Sequence, residues 1–221
     1  MADSLLRQFC ADARFYRQLK HPGKPVNRFG AMATALSSRG WWFLVFHRIT
    51  HYSSFNRNLA SPTWWLARIL ESFGRYLSAL LCRSEMLGDC EIKGPVFFSD
   101  KGYFLIGAKG IGAGTVLHHR VTLGMAVANG KADRPTIGKD VWIGPDCVIA
   151  GGLEIGDGAT ILPGSCLTFS VPPRAVAKGN PARVIQHGFD NDALRRSLSI
   201  ITELPDSAAA ASTETSAEGA R

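Results

Sequence analysis

From Leu105 the chain places an aliphatic residue at every sixth position: Leu105, Ile111, Leu117 and Leu123, then, after one interruption, Ile137, Ile143, Ile149, Ile155, Ile161 and Leu167. A step of six matches neither the 3.6-residue period of a helix nor the bare alternation of a strand. It fits a short strand and a tight turn, repeated, with the aliphatic side chain always directed to a central axis. Gly138, Asp140, Asp146, Asp157 and Gly158 then allow the corners. Two residues before the repeat position the side chain is mostly small or apolar, as at Val141, Cys147, Leu153, Ala159, Ser165 and Val171. The pattern predicts a parallel β-solenoid. Between Met125 and Thr136 the stretch MAVANGKADRPT delays the repeat by eight residues. A polar, Gly-bearing excursion of this kind reads as a loop thrown out of the wall, either a tolerated surface loop or a place for binding residues.

Before the repeat, residues 39–83 read as two or three amphipathic helices, with Trp, Phe, Leu and Ile crowding one side and isolated Arg the other, and Pro62 opening a new helix. The longest uncharged run there, residues 58–67, is ten residues, against the roughly 20 needed to span a bilayer. No transmembrane helix is expected. After the repeat, Leu194, Leu198 and Ile201 recur at helical spacing, and from Asp206 the chain is Ala, Ser, Thr and Glu. The expected organisation is a helical, basic and aromatic segment 1–86, the solenoid 87–188 with its loop 125–136, a short helix within 189–205 and a disordered tail 206–221.

Composition adds that the chain is globular, with 46% hydrophobic and 19% charged residues in 221. Charge divides it. Residues 1–86 carry 12 basic and 4 acidic side chains, whereas residues 87–221 carry 13 and 14, and no acidic residue lies between positions 13 and 70. Basic residues interleaved with Trp suit an interfacial helix or a helical cap against neighbouring subunits, so peripheral membrane contact through residues 14–83 is one expectation. No nucleic-acid motif accompanies the charge, and no nucleic-acid partner is expected. The five cysteines are odd in number and lack metal-like spacing, which argues for a reduced, cytoplasmic protein, at the inner face of a membrane if the basic segment touches one. Asp3 and the lack of an apolar stretch at the start argue against a secretory leader. His47 and His51 have a possible metal spacing, but Phe46, Ile49 and Tyr52 beside them point to packing, and no metal is expected.

The residues from Val121 to Ile185, with VWIG at Val141–Gly144 and GNPARV at Gly179–Val184, resemble the hexapeptide-repeat acyltransferases, in their serine acetyltransferase-like branch, closest to its carbohydrate-modifying members. The resemblance implies a mainly β protein: a left-handed parallel β-helix (hexapeptide repeat), preceded by a small α-helical segment and followed by a short helix. It implies acetyl-CoA as acyl donor, held by Gly144, Ala150 and Gly151 on one wall, by Gly164, Ser165 and Thr168 on the next, and by Lys178 and Arg183, whose charges would meet phosphate. It also implies a homotrimer or a dimer of trimers, because coenzyme slots in this family lie between neighbouring β-helices.

Acetyl transfer from a thioester to an alcohol needs a base, and an imidazole is suited to neutral pH. Serine acetyltransferases carry one histidine in an HATG-like turn and another in a DRHP motif. Here those places read Ser99-Asp100-Lys101-Gly102 and Asp133-Arg134-Pro135, so both histidines are missing. His118 and His119, in LHHRVTLG, are the histidines left to the repeat. Leu117 points inward by its phase, so His118 should start outward, where two subunits meet. His119 is preferred as the base because relatives with a single histidine keep it two residues before the valine of the VTLG-like segment; an exposed structural pair is the alternative. Asp100, Asp133 and Arg134 are candidates for the acceptor, and Asp100 or Asp133 is the next candidate for the base if the histidine pair is structural. The function expected is transfer of acetyl from acetyl-CoA to a carbohydrate hydroxyl, on a surface polysaccharide or its precursor. Serine O-acetylation and a non-catalytic scaffold remain open beside it.

Overall fold

The computed structural model describes residues 2–55, 78–87, 89–128 and 131–198, with positions 69, 72, 73 and 76 between the first two stretches. The helix expected to open at Pro62, the tip of the excursion at 129–130 and the tail from 206 lie outside the described residues. In the repeat, strands of two to four residues stack into three parallel walls. The first wall stacks Glu85–Met86, Leu105–Ile106, Thr122–Gly124, Val148–Ala150 and Cys166–Leu167; the second, Glu91–Ile92, Gly110–Ile111, Thr136–Ile137 and Glu154–Ile155. The third holds Phe97–Phe98, Val116–Leu117, Trp142–Ile143, Thr160–Ile161 and Val176–Gly179, and Ala182–Gln186 closes it as an antiparallel hairpin partner. Phe98, Leu117, Ile143, Ile161 and Ala177 lie in register, one above another. The predicted solenoid is therefore present, with the aliphatic column as its core.

Two details differ from the sequence reading. The inward column begins one coil before Leu105, at Met86, Ile92 and Phe98, so only its first strand falls outside the expected solenoid 87–188. And the inward residue at the second coil is Ile106, 1% exposed, while Leu105 is 52% exposed and faces out. The corner from Gly107 to Lys109 is one residue shorter than the others, so counting back by six from Ile111 lands on the wrong member of an aliphatic pair.

The walls differ on their outer sides. The second presents Glu91, Thr136 and Glu154 to solvent, which gives the ordinary alternation of a half-buried strand. On the third, both residues of each pair are buried. Phe97, Val116, Trp142 and Val176 pack outward against helix α1 (Ala2–Lys20), helix α2 (Arg28–Leu36), helix α3 (Arg39–Phe55) and helix α4 (Asp192–Ser197) through Tyr16, Ala31, Trp41, Val45 and Leu194. Helix α3 also seals the open lower end of the solenoid, where Phe43 meets Phe98 at 5.1 Å and Phe104 at 5.6 Å. A solenoid end needs such a cap.

Phe97–Phe98 is the outermost strand of the third wall, and its free edge is closed by one hydroxyl. Tyr16 Oη accepts from Phe98 N at 2.9 Å and donates to Phe98 O at 3.1 Å. Tyr16→Phe leaves both buried backbone groups unpaired and should lower the urea-derived unfolding free energy by about 1 to 3 kcal/mol; a loss below about 0.5 kcal/mol would show that water replaces the hydroxyl. Asp12 and Arg48 form a second link. Asp12 is fully buried, Arg48 Nε donates to its Oδ2 at 2.8 Å, and Arg48 Nη2 donates to Gly94 O at 2.7 Å. At the far end Asn191 Nδ2 donates to the carbonyls of Asp140, Gly158 and Ala159, and fixes the start of α4.

Candidate active site

His118 and His119 follow the inward Leu117 and form the corner between the third and first walls, with Arg120 at φ 57° turning the chain. His118 is not outward and open, as its phase suggests. It is 4% exposed, its ring centroid lies 5.0 Å from that of Trp142, and its Nε2 is buried without a partner. The reason is the two-sided burial of the third wall, which extends over the corner. His119 is half-buried, with Nδ1 sealed and unpartnered. Burial, His119 and Lys101 push the pKa of His118 down to about 4. Burial, Lys101 and Arg120 lower that of His119, and Asp146 opposes them. Burial makes His118 a poor proton acceptor at neutral pH, and His119 is the more accessible imidazole of the two.

Lys101 and the Arg120–Asp146 pair are the neighbours that sequence reasoning passed over. Arg120 clasps Asp146 through Nε at 2.5 Å and Nη2 at 2.6 Å, and Asp146 N donates to His119 O at 3.2 Å. The signal for Asp146 was its corner position one coil after His119.

The residues expected to hold the coenzyme divide between the two edges of the first wall. On the histidine side, Gly144 stacks directly above His118, and a Cβ there would come within 2.8 Å of Pro163 N, so the glycine is required by coil spacing. Gly164 turns the next corner at φ 69°. Ser165 is buried, and its hydroxyl is engaged within the fold: it donates to Leu162 O at 2.6 Å and accepts from Gly179 N at 3.2 Å. Lys178 stacks above Leu162 and lies opposite Arg183 on the terminal hairpin, both exposed. Two cations side by side suit a phosphate. At the other edge of the wall, Ala150, Gly151 and Thr168 lie beside the excursion. That excursion is a hairpin rather than a plain loop, Ala126–Ala128 against Lys131–Asp133, and Gly151 N donates to Gly124 O at 3.1 Å.

The three residues expected to meet the acceptor are already engaged. Asp100 pairs with Lys20 and accepts from Gly40 N at 3.2 Å, which ties the histidine corner to α1 and to the N-terminus of α3. Asp133 pairs with Lys109 at 2.6 Å, and Arg134 holds Asp89 through two bonds of 2.8 Å. These last two brace the root of the hairpin, one wall away from the histidines. His47 and His51 lie in helix α3, with ring centroids 5.9 Å apart, and His47 Nε2 bonds Cys90 O at 2.8 Å; no cluster of metal-ligating side chains occurs among the described residues. A groove of about 720 Å³ opens between α3 and the first wall, over Phe43, Leu87, Leu105 and Met125. None of the histidines of the repeat lines it.

Residues 134–168 match the model of the bacterial transferase hexapeptide repeat (six repeats). A chloramphenicol acetyltransferase of Agrobacterium fabrum is 44% identical over 69 residues, 30% of this chain and 33% of its own. The galactoside O-acetyltransferase of Escherichia coli K12 is 49% identical over 57 residues, 26% of this chain and 28% of its own. The chain thus spans a third or less of these curated relatives, within the repeat. Among solved structures, soybean serine acetyltransferase complexed with serine is 28% identical with a TM-score of 0.66, covering 83% of this chain and 70% of that one. A serine acetyltransferase in complex with CoA gives a TM-score of 0.66 at 22% identity, covering 83% and 70%. The fold is the left-handed parallel β-helix of this group, and the resemblance to hexapeptide-repeat acyltransferases holds.

Proposed function

We propose that this protein is an O-acetyltransferase that moves an acetyl group from acetyl-CoA to a hydroxyl of a carbohydrate. The observation that carries the reading is a neutral, accessible imidazole, His119, at a corner of a hexapeptide repeat whose relatives bear acetyltransferase names. In this reading His119 takes the acceptor hydroxyl proton as the oxygen attacks the thioester carbonyl. The tetrahedral oxyanion collapses, the C–S bond breaks, and the imidazolium returns its proton to the departing thiolate. Lys101, close enough to both rings to lower their pKa values, supplies positive charge where the oxyanion forms.

The site is completed between copies. One chain carries the histidines and the Lys178–Arg183 pair at one edge of the first wall and the hairpin at the other, so a cyclic trimer brings one copy's histidine corner to another's hairpin. The wall between them exposes Leu105 and Val148, apolar side chains that suit an interface. A reaction in the cytoplasm belongs to the same reading.

A carbohydrate is preferred to serine because the positions of both serine acetyltransferase histidines hold other residues, and the name of one relative specifies a galactoside. The overall likeness to serine acetyltransferases fits serine as well. Release of free CoA thiol from acetyl-CoA decides: acceleration by galactosides or polysaccharide supports the proposal, acceleration by serine alone transfers it to the other acceptor, and no acceleration by either leaves a scaffold. Lys178→Ala and Arg183→Ala should each raise the KM for acetyl-CoA by about ten- to a hundredfold, the value of one charged hydrogen bond, with the acceptor KM unchanged. Unchanged donor KM in both would remove them from the slot.

A further inference from the structure

Helix α2 is apolar on both sides. Ala31, Thr34 and Ala35 face the fold and are buried, while Phe29, Met32, Ala33 and Leu36 form an exposed stripe at spacings of three and four. Phe29 is 90% exposed and Leu36 51%. A monomeric surface rarely aligns such residues without a use. The stripe continues onto α3: Trp42 Nε1 donates to Leu36 O at 3.0 Å, the Trp42 ring lies 5.8 Å from that of Phe46, and Ile49 follows on the same side, exposed. The indole thus brings no unsatisfied donor to the surface.

Charge identifies what this face meets. Lys24, Arg28 and Arg39 border the strip, exposed and without a carboxylate partner among the described residues. No acidic residue lies between Asp12, buried against Arg48, and Glu71. A second copy docked face to face would set these cations against their own equivalents. An anionic bilayer surface offers apolar depth for Phe29, Met32, Leu36 and Trp42 and negative charge for the rim. No helix among the described residues is long and apolar enough to cross a membrane, so the contact is peripheral. We infer that the outer faces of α2 and α3 form a docking surface for an anionic lipid bilayer, with the strip in the headgroup–acyl boundary and Lys24, Arg28 and Arg39 at the phosphates.

The test is co-sedimentation of the full chain with phosphatidylcholine vesicles, with and without phosphatidylglycerol. Binding should require the anionic lipid and weaken steeply between low and high salt. Phe29→Ser with Leu36→Ser should lower the partition coefficient by about tenfold or more. Lys24→Gln with Arg28→Gln should lower it by about fivefold per charge and flatten the salt dependence. Both pairs are exposed, and unchanged circular dichroism will show that the fold is kept. No binding to anionic vesicles at low salt overturns the inference, as does binding that Phe29→Ser with Leu36→Ser leaves intact. Concentration-dependent association of the chain that the same substitutions abolish would assign the face to a second copy instead.

Discussion

Replacing Arg48 by Met should lower the unfolding free energy by about 3 to 5 kcal/mol at pH 7.5, the effect of stripping a buried carboxylate of its counter-charge. Asp12 is inaccessible to water, and burial already raises its pKa to about 6 although Arg48 acts in the opposite direction through charge and hydrogen bonding. The link also holds structure together: Arg48 reaches Asp12 on α1, Gln8 Oε1 at 3.1 Å and Gly94 O at 2.7 Å, so helix, helix and solenoid corner share one guanidinium. The pH dependence follows from the direction of the shift. A carboxyl whose folded pKa lies above its unfolded value of 3.8 adds stability below that value and loses it as pH rises through about 6. Without Arg48 the folded pKa moves higher still, so the deficit of the variant should grow from pH 5 to pH 8. Asp12→Leu with Arg48→Met removes both charges and should recover most of the loss. Urea midpoints at fixed protein concentration measure all three chains. A single variant within about 1 kcal/mol of the parent, or a deficit independent of pH, would mean that water reaches Asp12.

How far the sequence discloses this molecule depends on how many residue types each position admits. The inward column accepts only aliphatic or aromatic side chains, and nine of them at a fixed step reveal the solenoid; Leu105, in the same phase, misleads because its neighbour Ile106 satisfies the same requirement. Three pairs of the third wall are wholly apolar where the second wall has a polar and an apolar residue: Phe97–Phe98, Val116–Leu117 and Trp142–Ile143 against Glu91–Ile92, Thr136–Ile137 and Glu154–Ile155, whereas Thr160–Ile161 of the third wall carries the same residues as Thr136–Ile137 and shows no such contrast. That contrast marks the side on which the helices dock, and it explains why His118 is covered. Charge pairs are less legible. Nothing local links Asp100 to Lys20 or Arg134 to Asp89, because the contacts join segments 80 and 45 residues apart. The excursion was visible as a break in phase, but its hairpin pairing rests on Ala126–Ala128 and Lys131–Asp133, too short and mixed to show strand alternation.

His119→Ala should lower kcat by about 10² to 10⁴ while changing neither KM by more than a few-fold, because a general base acts in the transition state. His118→Gln should cost less than about tenfold in rate, since that ring is packed against Trp142 and, with a pKa near 4, is a poor proton acceptor at neutral pH. The pH profile separates a base from a structural pair. A base works when neutral, and the pKa of His119 is lowered from 6.5, so the acid limb of kcat/KM should fall below that value. Lys101 lowers the pKa and Asp146 raises it. Lys101→Gln should therefore move the limb to higher pH, and Asp146→Asn to lower pH. Opposite displacements from two surface substitutions are what an imidazole titrating in their field must show, and loss of packing does not produce them. If the two single variants and the double variant all keep near-normal kcat on a verified acceptor, the pair is structural. The base would then have to come from outside this corner, because the carboxylate of Asp100 is held by Lys20 and Gly40, and that of Asp133 by Lys109, a wall away.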